Sequence, residues 1–359
     1  MLKRRSLLIV LIALVIALPL SAPAIARHRR QVDVMTYNVF LGGNLTPVLT
    51  ARTPEEFVAA ATTIYQQVVA TDFAQRARSI ANSIDETDPL LIGLQEVSLW
   101  RTDTPADGPA TPATDVAFDF LDILLEALAE RGLHYEPVSI VDNFDGEAPT
   151  ALGFDVRLTD RDVILARTDL RPARLQIVDE QHANFEAKLA IPNPVLGTIE
   201  VLRGWNLVDV RLRGKPLRFI NTHLEAFSPV AQVAQAQELL AGPAATSMPV
   251  VMAGDFNSHA DGSTTPTYGM LIAAGFTDAW PEARPDDPGN GCCWNSDLMS
   301  GVLDHRIDLI LYKGGGLSAT WADLLGEEPR DLTPSGLHPS DHSGVFAQLE
   351  FGPRVPRRP

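Results

Sequence analysis

Polar residues that could perform chemistry follow or interrupt the apolar, strand-like runs of this 359-residue chain at several places. In α/β scaffolds, binding and catalytic groups commonly lie just beyond the ends of strands, because the rigid strands aim them into a shared crevice. If these strands are neighbours in the fold, their terminal carboxylates, amides and imidazoles converge on one site. The residues are Asn38, Gln95, Glu96, His223, Asp255, Asn257, Asp308, Asp341 and His342.

Asp308 interrupts the apolar run 306–311, where a buried carboxylate is costly unless another group pairs with it. A histidine is the natural partner, because the ion pair raises the basicity of the imidazole and fixes its tautomer. Taken alone, Asp308 or Glu96 could equally be a solvated carboxylate. The segment from Asp255 to Asn257 could be a turn, and a single histidine could be a hydrogen-bonded structural side chain.

The order of these residues along the chain carries a more specific signal. Six motifs between about Asp33 and Phe351 resemble those of the endonuclease/exonuclease/phosphatase superfamily. That superfamily includes pancreatic-type deoxyribonucleases, abasic-site endonucleases, neutral sphingomyelinases and inositol-polyphosphate 5-phosphatases. In the run 162–167, Asp162 stands where the superfamily commonly has an Asn. The six motifs are Met35-Thr36-Tyr37-Asn38-Val39, Leu94-Gln95-Glu96-Val97, Asn221-Thr222-His223-Leu224, Gly254-Asp255-Phe256-Asn257, Arg306-Ile307-Asp308-Leu309-Ile310 and Ser340-Asp341-His342.

The resemblance implies an α/β fold of the four-layer sandwich type, in which two packed, mainly antiparallel β-sheets are flanked by α-helices. It also implies a divalent-metal site, usually for Mg²⁺, at one end of the two sheets. Glu96 would be the main metal ligand, with Asn38 and Asp341 beside it.

The resemblance further implies roles for the remaining residues. Asp255 and Asn257 would orient the attacking water and the phosphoryl oxygens. His342, supported by Asp308, would act as general base or polarise the phosphate. His223 would contact a phosphoryl oxygen or assist the leaving group. The implied substrate-binding residues are Asn38, His223 and Asn257.

Elementary chemistry agrees with this assignment. A phosphoester is anionic, so attack by water depends more on charge neutralisation than on a covalent nucleophile. One hard cation on carboxylate and amide oxygens supplies that neutralisation; Mg²⁺ suits it, with Mn²⁺ or Ca²⁺ as alternatives. An imidazole tethered to a carboxylate titrates near neutral pH and can exchange a proton during the displacement. Because no Cys or Ser is placed as a nucleophile, the sequence predicts direct attack by water and loss of activity with a chelator.

Three functional hypotheses follow. The residues favour an exported phosphodiesterase that acts on nucleic acid or phospholipid, and they indicate no protein partner. A phosphomonoesterase of inositol or sugar phosphates is the alternative, because the string 221–224 also occurs among phosphatase-type members. A non-catalytic binding module on the same fold is the third hypothesis, and the completeness of the site argues against it. The segments 42–54, 101–115 and 281–300 are expected to select the substrate.

The elements that position these residues follow from hydrophobic periodicity. The string Thr53-Pro54-Glu55-Glu56 predicts a capped helix start, and a second helix begins at Asp72 and ends before Pro89. Further helices are predicted near 121–128, over 229–241 and near 266–274, and a polar loop is predicted over 101–115. Strands are predicted at 32–37, 90–94, 135–141, 161–167, 174–178, 198–203, 206–212, 216–223, 249–253, 306–312 and 344–351.

Composition limits the class of protein. Hydrophobic residues make up 45% of the chain and charged residues 21%, which excludes a disordered protein, a collagen and a coiled coil. The chain has 29 Lys and Arg against 45 Asp and Glu, for a formal net charge of -16. This charge disfavours passive adhesion to DNA or anionic lipid, but a bound metal can invert the local field and permit their hydrolysis.

The N-terminus has the pattern of a secretory signal peptide. Basic residues 3–5 precede an apolar run over 7–18, and Ala24-Ile25-Ala26 completes a cleavage site. We therefore expect a signal peptide over 1–26, a secreted product with no membrane span, a single catalytic domain over 31–351 and a loose tail over 352–359. A retained membrane anchor is the alternative, which the shortness of the apolar run argues against.

Several further residues have less specific surroundings. Cys292 and Cys293 are the chain's two cysteines, and a vicinal disulfide, two free thiols or a link between chains are all open. Other residues could touch substrate, bind an extra metal or steer phosphate, although ordinary surface roles are the default: His305, His338, His259 with Asp261, Arg161 and Arg306.

Overall fold

The computed structural model describes residues 31–352, so the predicted signal peptide and residues 353–359 of the predicted tail lie outside the described residues. Within that range, no helix has the length and apolar character needed to cross a membrane. The described helices are α1 (Thr46–Thr50), α2 (Pro54–Ala70), α3 (Phe73–Thr87), α4 (Phe120–Glu130), α5 (Pro229–Ala241), α6 (Thr267–Ala273) and α7 (Ala279–Ala283), with a 3₁₀ turn at Pro329–Asp331.

The strands account for most of the remaining described residues. They are β1 (Gln31–Asn38), β2 (Leu91–Gln95), β3 (Leu99–Asp103), β4 (Asp115–Asp119), β5 (Tyr135–Pro149), β6 (Asp155–Arg167), β7 (Leu175–Asn184), β8 (Leu189–Asn193), β9 (Gly197–Val201), β10 (Gly204–Leu212), β11 (Lys215–His223), β12 (Val250–Asp255), β13 (Thr277–Asp278), β14 (Cys292–Trp294), β15 (Gly301–His305), β16 (Asp308–Lys313), β17 (Leu317–Leu325) and β18 (Gly344–Phe351).

Two large mixed sheets form the centre of the molecule. The first has the order β17-β18-β1-β2-β6-β3-β4, with β5 also paired to β6, and the second has the order β13-β16-β12-β11-β10-β7. Within them, β1 with β2 and β11 with β12 are parallel pairs, and the other described pairs are antiparallel. The predicted α/β fold with mainly antiparallel sheets is confirmed.

The apolar side chains divide the molecule into four layers. Strand residues alternate between faces, so one face of each sheet packs on the other sheet and the opposite face packs on helices. Val34, Phe219 and Val251 belong to the cluster between the sheets. A second cluster joins the first sheet to α2, α3 and α4, and a third joins the second sheet to α5 and α6.

The predicted helix starts agree with the structure. The Thr53 hydroxyl accepts a hydrogen bond from the Glu56 amide at 3.2 Å, and the Asp72 carboxylate accepts one from the Gln75 amide at 3.2 Å. The Glu56 carboxylate accepts from the Arg52 amide at 2.8 Å, one residue before the donor that a complete capping box would use.

Some edge and peripheral strands were not predicted from the sequence. The two ends of the predicted loop over 101–115 belong to β3 and β4. The other strands that were not predicted are β8, β14, β15 and β17. The burial of β3 and β17 is mixed and lacks a strict alternation. Such segments become strands because a neighbouring strand offers hydrogen bonds, which is tertiary information.

Two close contacts lie beside the strand ends, one between the two sheets and one within the second sheet. Gln95 Nε2 on the first sheet donates to Asn221 Oδ1 on the second at 2.6 Å. Gly254 in β12 has φ +154°, and a Cβ atom at this position would collide with the carbonyl oxygen of Thr222 in β11. A residue without a side chain is therefore required directly before Asp255.

Candidate active site

Three predicted catalytic residues occupy matching positions on adjacent strands of the second sheet. His223 at the end of β11 pairs in register with Asp255 at the end of β12, and Asp255 pairs with Asp308 at the start of β16. Residues directly opposite one another on neighbouring strands project from the same face of a sheet. The strand register therefore brings these three side chains together although 85 positions separate the first from the last in sequence.

The first sheet supplies the facing wall. Asn38 ends β1 in register with Gln95 of β2, so Glu96 follows directly at the same edge. Asn38 Nδ2 donates to Glu96 Oε1 at 3.3 Å and to Asp255 Oδ2 at 3.2 Å. Its Oδ1 accepts from the Phe40 amide at 3.0 Å. Asn38 thus bridges acids from the two sheets, and its role as a metal ligand stays a prediction.

These side chains surround one cavity of about 280 Å³ at this end of the sandwich. Asn38 and Asp308 lie behind its wall, with 1% and 3% of their surface exposed. The predicted site residues that line the cavity are Glu96, His223, Asp255, Asn257, Asp341 and His342. Residues from six separate motifs therefore belong to one site.

Asp308 holds His342 from behind. His342 Nδ1 lies 2.7 Å from Asp308 Oδ2, and His342 Nε2 lies 4.0 Å from Asp255 Oδ2. Burial lowers the pKa of His342, but the negative charge and hydrogen bond of Asp308 outweigh burial and hold this pKa well above its usual value. The His342 ring is therefore a cation near neutral pH. These three residues also present possible metal-ligand atoms that all lie within 4.8 Å of one another.

Asp255 is the acid that both imidazoles approach. Its Oδ2 lies 3.4 Å from His223 Nε2, and its Oδ1 accepts from the Asn257 amide at 2.9 Å. Burial and then the negative charge of Asp308 raise the pKa of Asp255 to about 6. Asp255 is thus a carboxylate at neutral pH that can take up a proton within one or two pH units.

His223 is held by a residue that the sequence did not single out. Arg203 Nη1 lies 2.9 Å from His223 Nδ1, and Arg203 also lines the cavity. Burial, with the positive charges of Arg203 and His342, lowers the pKa of His223 well below its usual value. A guanidinium can only donate, so Nδ1 accepts and the proton of the neutral ring resides on Nε2. An Arg before a strand gives no signal in the sequence by itself.

Acidic groups crowd the cavity wall around Glu96. Burial and then the negative charge of Glu96 raise the pKa of Asp160 to about 7. Burial also raises the pKa of Asp341 to about 7, and the charge of Glu96 acts in the same direction. A cation relieves repulsion of this kind, and carboxylate oxygens are the donors that hard divalent cations prefer. The residues present therefore fit a divalent cation.

Three residues at the cavity have left-handed backbone conformations that side chains rarely adopt. The φ angles are 57° at Phe40, 60° at Glu96 and 48° at Asn257. Each such residue costs about 1–3 kcal/mol, and such residues cluster at functional sites. The Glu96 carboxylate contacts the segment after β1, where its Oε2 accepts a hydrogen bond from the Leu41 amide at 2.8 Å.

Arg76 on α3 supports two segments of the site from below. Its side chain is fully buried, and it donates to the carbonyls of Val39 at 2.6 Å, Phe40 at 3.1 Å and Pro339 at 3.0 Å. It therefore joins the segment after β1 to the segment that carries the predicted ligand Asp341. The sequence does contain a signal here, because Arg76 falls on the apolar face of the predicted helix, where a charged residue is unexpected.

A comparison with protein families agrees with this geometry. The family model described as the endonuclease/exonuclease/phosphatase family matches residues 35–342, a range that includes every predicted site residue. This chain belongs to the endonuclease/exonuclease/phosphatase family. Members of the family are hydrolases that act on phosphoester bonds. No curated protein matches the chain in sequence.

Solved structures of the endonuclease/exonuclease/phosphatase family share the fold. One family protein from Bacteroides thetaiotaomicron has a TM-score of 0.56 at 18% identity, over 92% of this chain and 98% of that one. A mannosyl-6-phosphatase from the same organism has a TM-score of 0.55 at 19% identity, over 89% and 100%. The human Nocturnin catalytic domain with bound sulfate anion has a TM-score of 0.56 at 17% identity, over 91% and 95%.

Asp162 departs from the Asn that is common in this family, and its surroundings explain the difference. Asp162 is fully buried, and its Oδ2 accepts from Asn143 Nδ2 at 2.8 Å. Burial and then the charge of Asp160 raise the pKa of Asp162 well above its usual value. This shift favours the neutral acid, whose shape is close to that of asparagine. It lies outside the set of residues that line the cavity.

The two arginines considered for phosphate steering are engaged elsewhere. Arg161 pairs with Asp119 at 2.5 Å, and Arg306 pairs with Asp278 at 2.6 Å. Neither belongs to the described lining of the cavity. Arg203, which the sequence did not suggest, is the arginine that reaches it.

The three histidines with less specific surroundings, His259, His305 and His338, also lie outside the described cavity lining. His305 pairs with the neighbouring Asp304 and packs edge-on against His259, with ring centroids 4.2 Å apart. His338 stacks on Trp294, with ring centroids 4.0 Å apart.

Cys292 and Cys293 are joined in a vicinal disulfide, one of the three alternatives that the sequence left open. Cys292 is fully buried, and its Sγ lies 3.6 Å from His342 Nε2. The Trp294 amide donates to the Asp341 carbonyl at 2.9 Å. The segment 291–294 therefore packs directly against Asp341 and His342.

Proposed function

We propose that this protein hydrolyses phosphodiesters by direct attack of water, with the help of a divalent cation. The observation that carries the proposal is the convergence on Asp255. Its Oδ2 lies 3.4 Å from His223 Nε2 and 4.0 Å from His342 Nε2, on a cavity that Glu96 and Asp341 also line. This arrangement supports the proposal, because a proton acceptor, two donors and a group of possible cation ligands would share one small space.

Glu96 and Asp341 would hold the cation, with Asn38 beside them. When bound, the cation would neutralise the phosphoryl oxygens as a Lewis acid. Mg²⁺ suits an all-oxygen donor set, with Mn²⁺ or Ca²⁺ as alternatives. The crowding of acids around Glu96 supports this part of the proposal.

The chain's own residues then handle the protons. Asp255 takes a proton from the water as its oxygen forms a bond to phosphorus, with Asn257 fixing the orientation of Asp255 through its backbone amide. The bond from phosphorus to the leaving oxygen breaks, and the cationic His342 can supply a proton to that oxygen. His223, neutral with its proton on Nε2, donates a hydrogen bond to a phosphoryl oxygen.

Charge favours a diester over a monoester. A diester carries one negative charge and a monoester carries up to two, and like charges repel strongly in a cavity sheltered from water. Four acidic residues line the cavity, namely Glu96, Asp160, Asp255 and Asp341, against the cationic Arg203 and His342 among the described lining residues. The similarity to a mannosyl-6-phosphatase makes monoester hydrolysis the competing activity.

We further propose that the enzyme acts outside the cell. The basic, apolar and small-residue segments over 1–26 support export and cleavage after Ala26. A phosphoesterase with this leader would meet substrates in the surrounding medium or at a cell surface.

The proposal is tested by comparing bis-p-nitrophenyl phosphate with p-nitrophenyl phosphate in the presence of Mg²⁺, followed by DNA, RNA, sphingomyelin and inositol phosphates. We expect faster hydrolysis of the diester, loss of activity with EDTA and recovery with added Mg²⁺. Glu96→Gln should lower activity at least about 100-fold while the circular dichroism spectrum is retained.

Glu126→Gln, a matched change at an exposed position of α4, is the control and should be silent. A preference for the monoester would favour the competing activity. A folded protein with no hydrolysis of either compound would refute the proposal.

A further inference from the structure

Part of the lining of the catalytic cavity is an apolar wall. Leu45 and Leu49 from the α1 region and Phe144 from β5 form part of this wall. All three side chains are partly buried. A charged phosphate gains nothing from contact with apolar side chains, so we expect the wall to contact another part of the substrate.

This wall continues into a narrow cleft. A second cavity of about 70 Å³ shares Leu45, Leu49 and Phe144 with the catalytic cavity. A third cavity of about 310 Å³ shares Phe57, Glu147 and Leu196 with the second. Because each cavity shares lining residues with the next, the three are neighbours in this order, from the catalytic site past α1 and α2 to the loop after β3. Two of the segments expected to select the substrate, 42–54 and 101–115, contribute to this path.

The middle cavity is lined almost wholly by apolar groups. Of the fifteen described residues that line it, fourteen are apolar or glycine, and Glu147 is the exception. The Glu147 carboxylate accepts from the Ala113 amide at 3.0 Å, and Trp100 Nε1 donates to the Leu41 carbonyl at 3.0 Å. Trp100 Nε1 and Glu147 Oε2 are thus already engaged, whereas Glu147 Oε1 has no hydrogen-bond partner among the described residues.

The shape and chemistry of this path select its occupant. A nucleobase has polar edges that would lose their hydrogen bonds in such a cleft. An apolar cavity of about 150 Å³ accommodates a benzene ring, so a constriction of half that size suits an unbranched chain. Resting on the function proposed above, we propose that the substrate is a phosphodiester with a long hydrocarbon chain, which lies in the cleft while the phosphate occupies the catalytic cavity.

The inference is tested with alkyl p-nitrophenyl phosphates of one to twelve carbons, each kept below its critical micelle concentration. Hydrolysis releases p-nitrophenol and leaves the alkyl phosphate. Burying one methylene contributes about 0.8 kcal/mol, which corresponds to about fourfold in kcat/KM. We expect kcat/KM to rise steeply with chain length and then level off. A rate that does not change with chain length would overturn the inference and leave the proposed function intact.

Two variants disfavour a hydrocarbon chain at different points of the cleft. Ala61→Leu fills the middle cavity, and Leu196→Asp puts a charge at the exposed junction of the second and third cavities. Each should lower the ratio of kcat/KM for the twelve-carbon and one-carbon substrates at least about tenfold. Val178→Trp, at an exposed position of β7, should leave this ratio unchanged. An unchanged ratio in a folded Leu196→Asp protein contradicts the inference.

Calorimetry separates the inference from the proposed function. Methyl phosphonate and dodecyl phosphonate bind without turnover, so they report on the cleft even if no ester is hydrolysed. Tighter binding of dodecyl phosphonate that is lost in Leu196→Asp supports the cleft by itself. Equal affinity for the two compounds overturns it.

Discussion

Arg203 donates a hydrogen bond to Nδ1 of His223 across 2.9 Å and thereby decides where the proton of that ring resides. The guanidinium stays protonated at any working pH, so the ring nitrogen facing it must accept. The opposite nitrogen, Nε2, then carries the proton toward Asp255 and the cavity. A histidine arranged in this way donates a hydrogen bond to substrate without becoming a cation.

Replacing Arg203 should therefore change the chemistry of His223 as well as the stability of the fold. Arg203→Met removes the donor and leaves Asp160 and Glu225 without the positive charge that lies 3.9 Å and 4.0 Å from them. Breaking a buried ion pair in this way costs about 3–5 kcal/mol. The pKa of His223 should also rise, because Arg203 lowers it now. Urea unfolding and the ¹⁵N shifts of the ring measure the two effects, and Asp160→Asn in the same chain should recover part of the stability.

Asp308→Asn should reduce kcat about 100-fold or more, because the anchored, charged imidazole of His342 is lost. NMR titration should show a lower pKa for His342, since Asp308 is the main group that raises it. The chain offers a matched control in the exposed pair of Asp304 and His305. Asp304→Asn should change neither kcat nor the His342 titration, and equal losses in the two variants would contradict the assigned roles.

The rate should fall on acidification with an apparent pKa near 6. Asp255 accepts the proton only when it is ionised, and its pKa is raised to about 6 by burial and by Asp308. Above that pH the acceptor is available, and at saturating Mg²⁺, which keeps Asp341 ionised, kcat/KM should be level. Below it, kcat/KM should fall about tenfold per pH unit, as the ionised fraction does. Stopped assays between pH 4.5 and 8, with a diester whose leaving group is uncharged, measure this fall in kcat/KM. A flat profile down to pH 5 would exclude Asp255 as the acceptor.

Gly254→Ala should destabilise the protein by about 3 kcal/mol, because the new Cβ would meet the Thr222 carbonyl and the backbone would be strained. The same change at Gly269 in α6 is the control. A Cβ atom there has nothing within 4 Å, so Gly269→Ala should be neutral or stabilise by about 0.5–1 kcal/mol. Urea midpoints of the two variants decide the matter, and similar midpoints would contradict the close approach of β11 and β12.

The sequence predicted the strands and helices that carry the candidate site better than it predicted the edges of the fold. Asp255 and His223 stand at the ends of strands with strong apolar patterns, and the helix predicted over 229–241 matches α5 (Pro229–Ala241). Local signals of this kind depend on neighbouring residues in sequence. The strands β3 and β17 lack them, because their pairing depends on which strand lies beside them.

The residues that were missed share a physical reason. Arg76 and Arg203 act through buried hydrogen bonds to groups more than ten positions away in sequence, such as Val39 and His223. Nothing in the local pattern distinguishes Arg203 from a surface arginine, whereas Arg76 is marked by its position on the apolar face of the predicted helix. Conversely, Arg161 and Arg306 stand in the motifs or beside them, yet they pair with acids elsewhere. The tertiary arrangement shows which arginines support the site.

The common register of His223, Asp255 and Asp308 has a consequence for the engineering of this scaffold. Their separation is inherited from the spacing of neighbouring strands, about 4.8 Å, and it owes nothing to any connecting segment. The segments 42–54 and 101–115 hold none of the proposed reacting groups, so they can be exchanged for foreign ones without disturbing these three residues. Grafting new segments should therefore change substrate specificity while His223, Asp255 and Asp308 keep their positions.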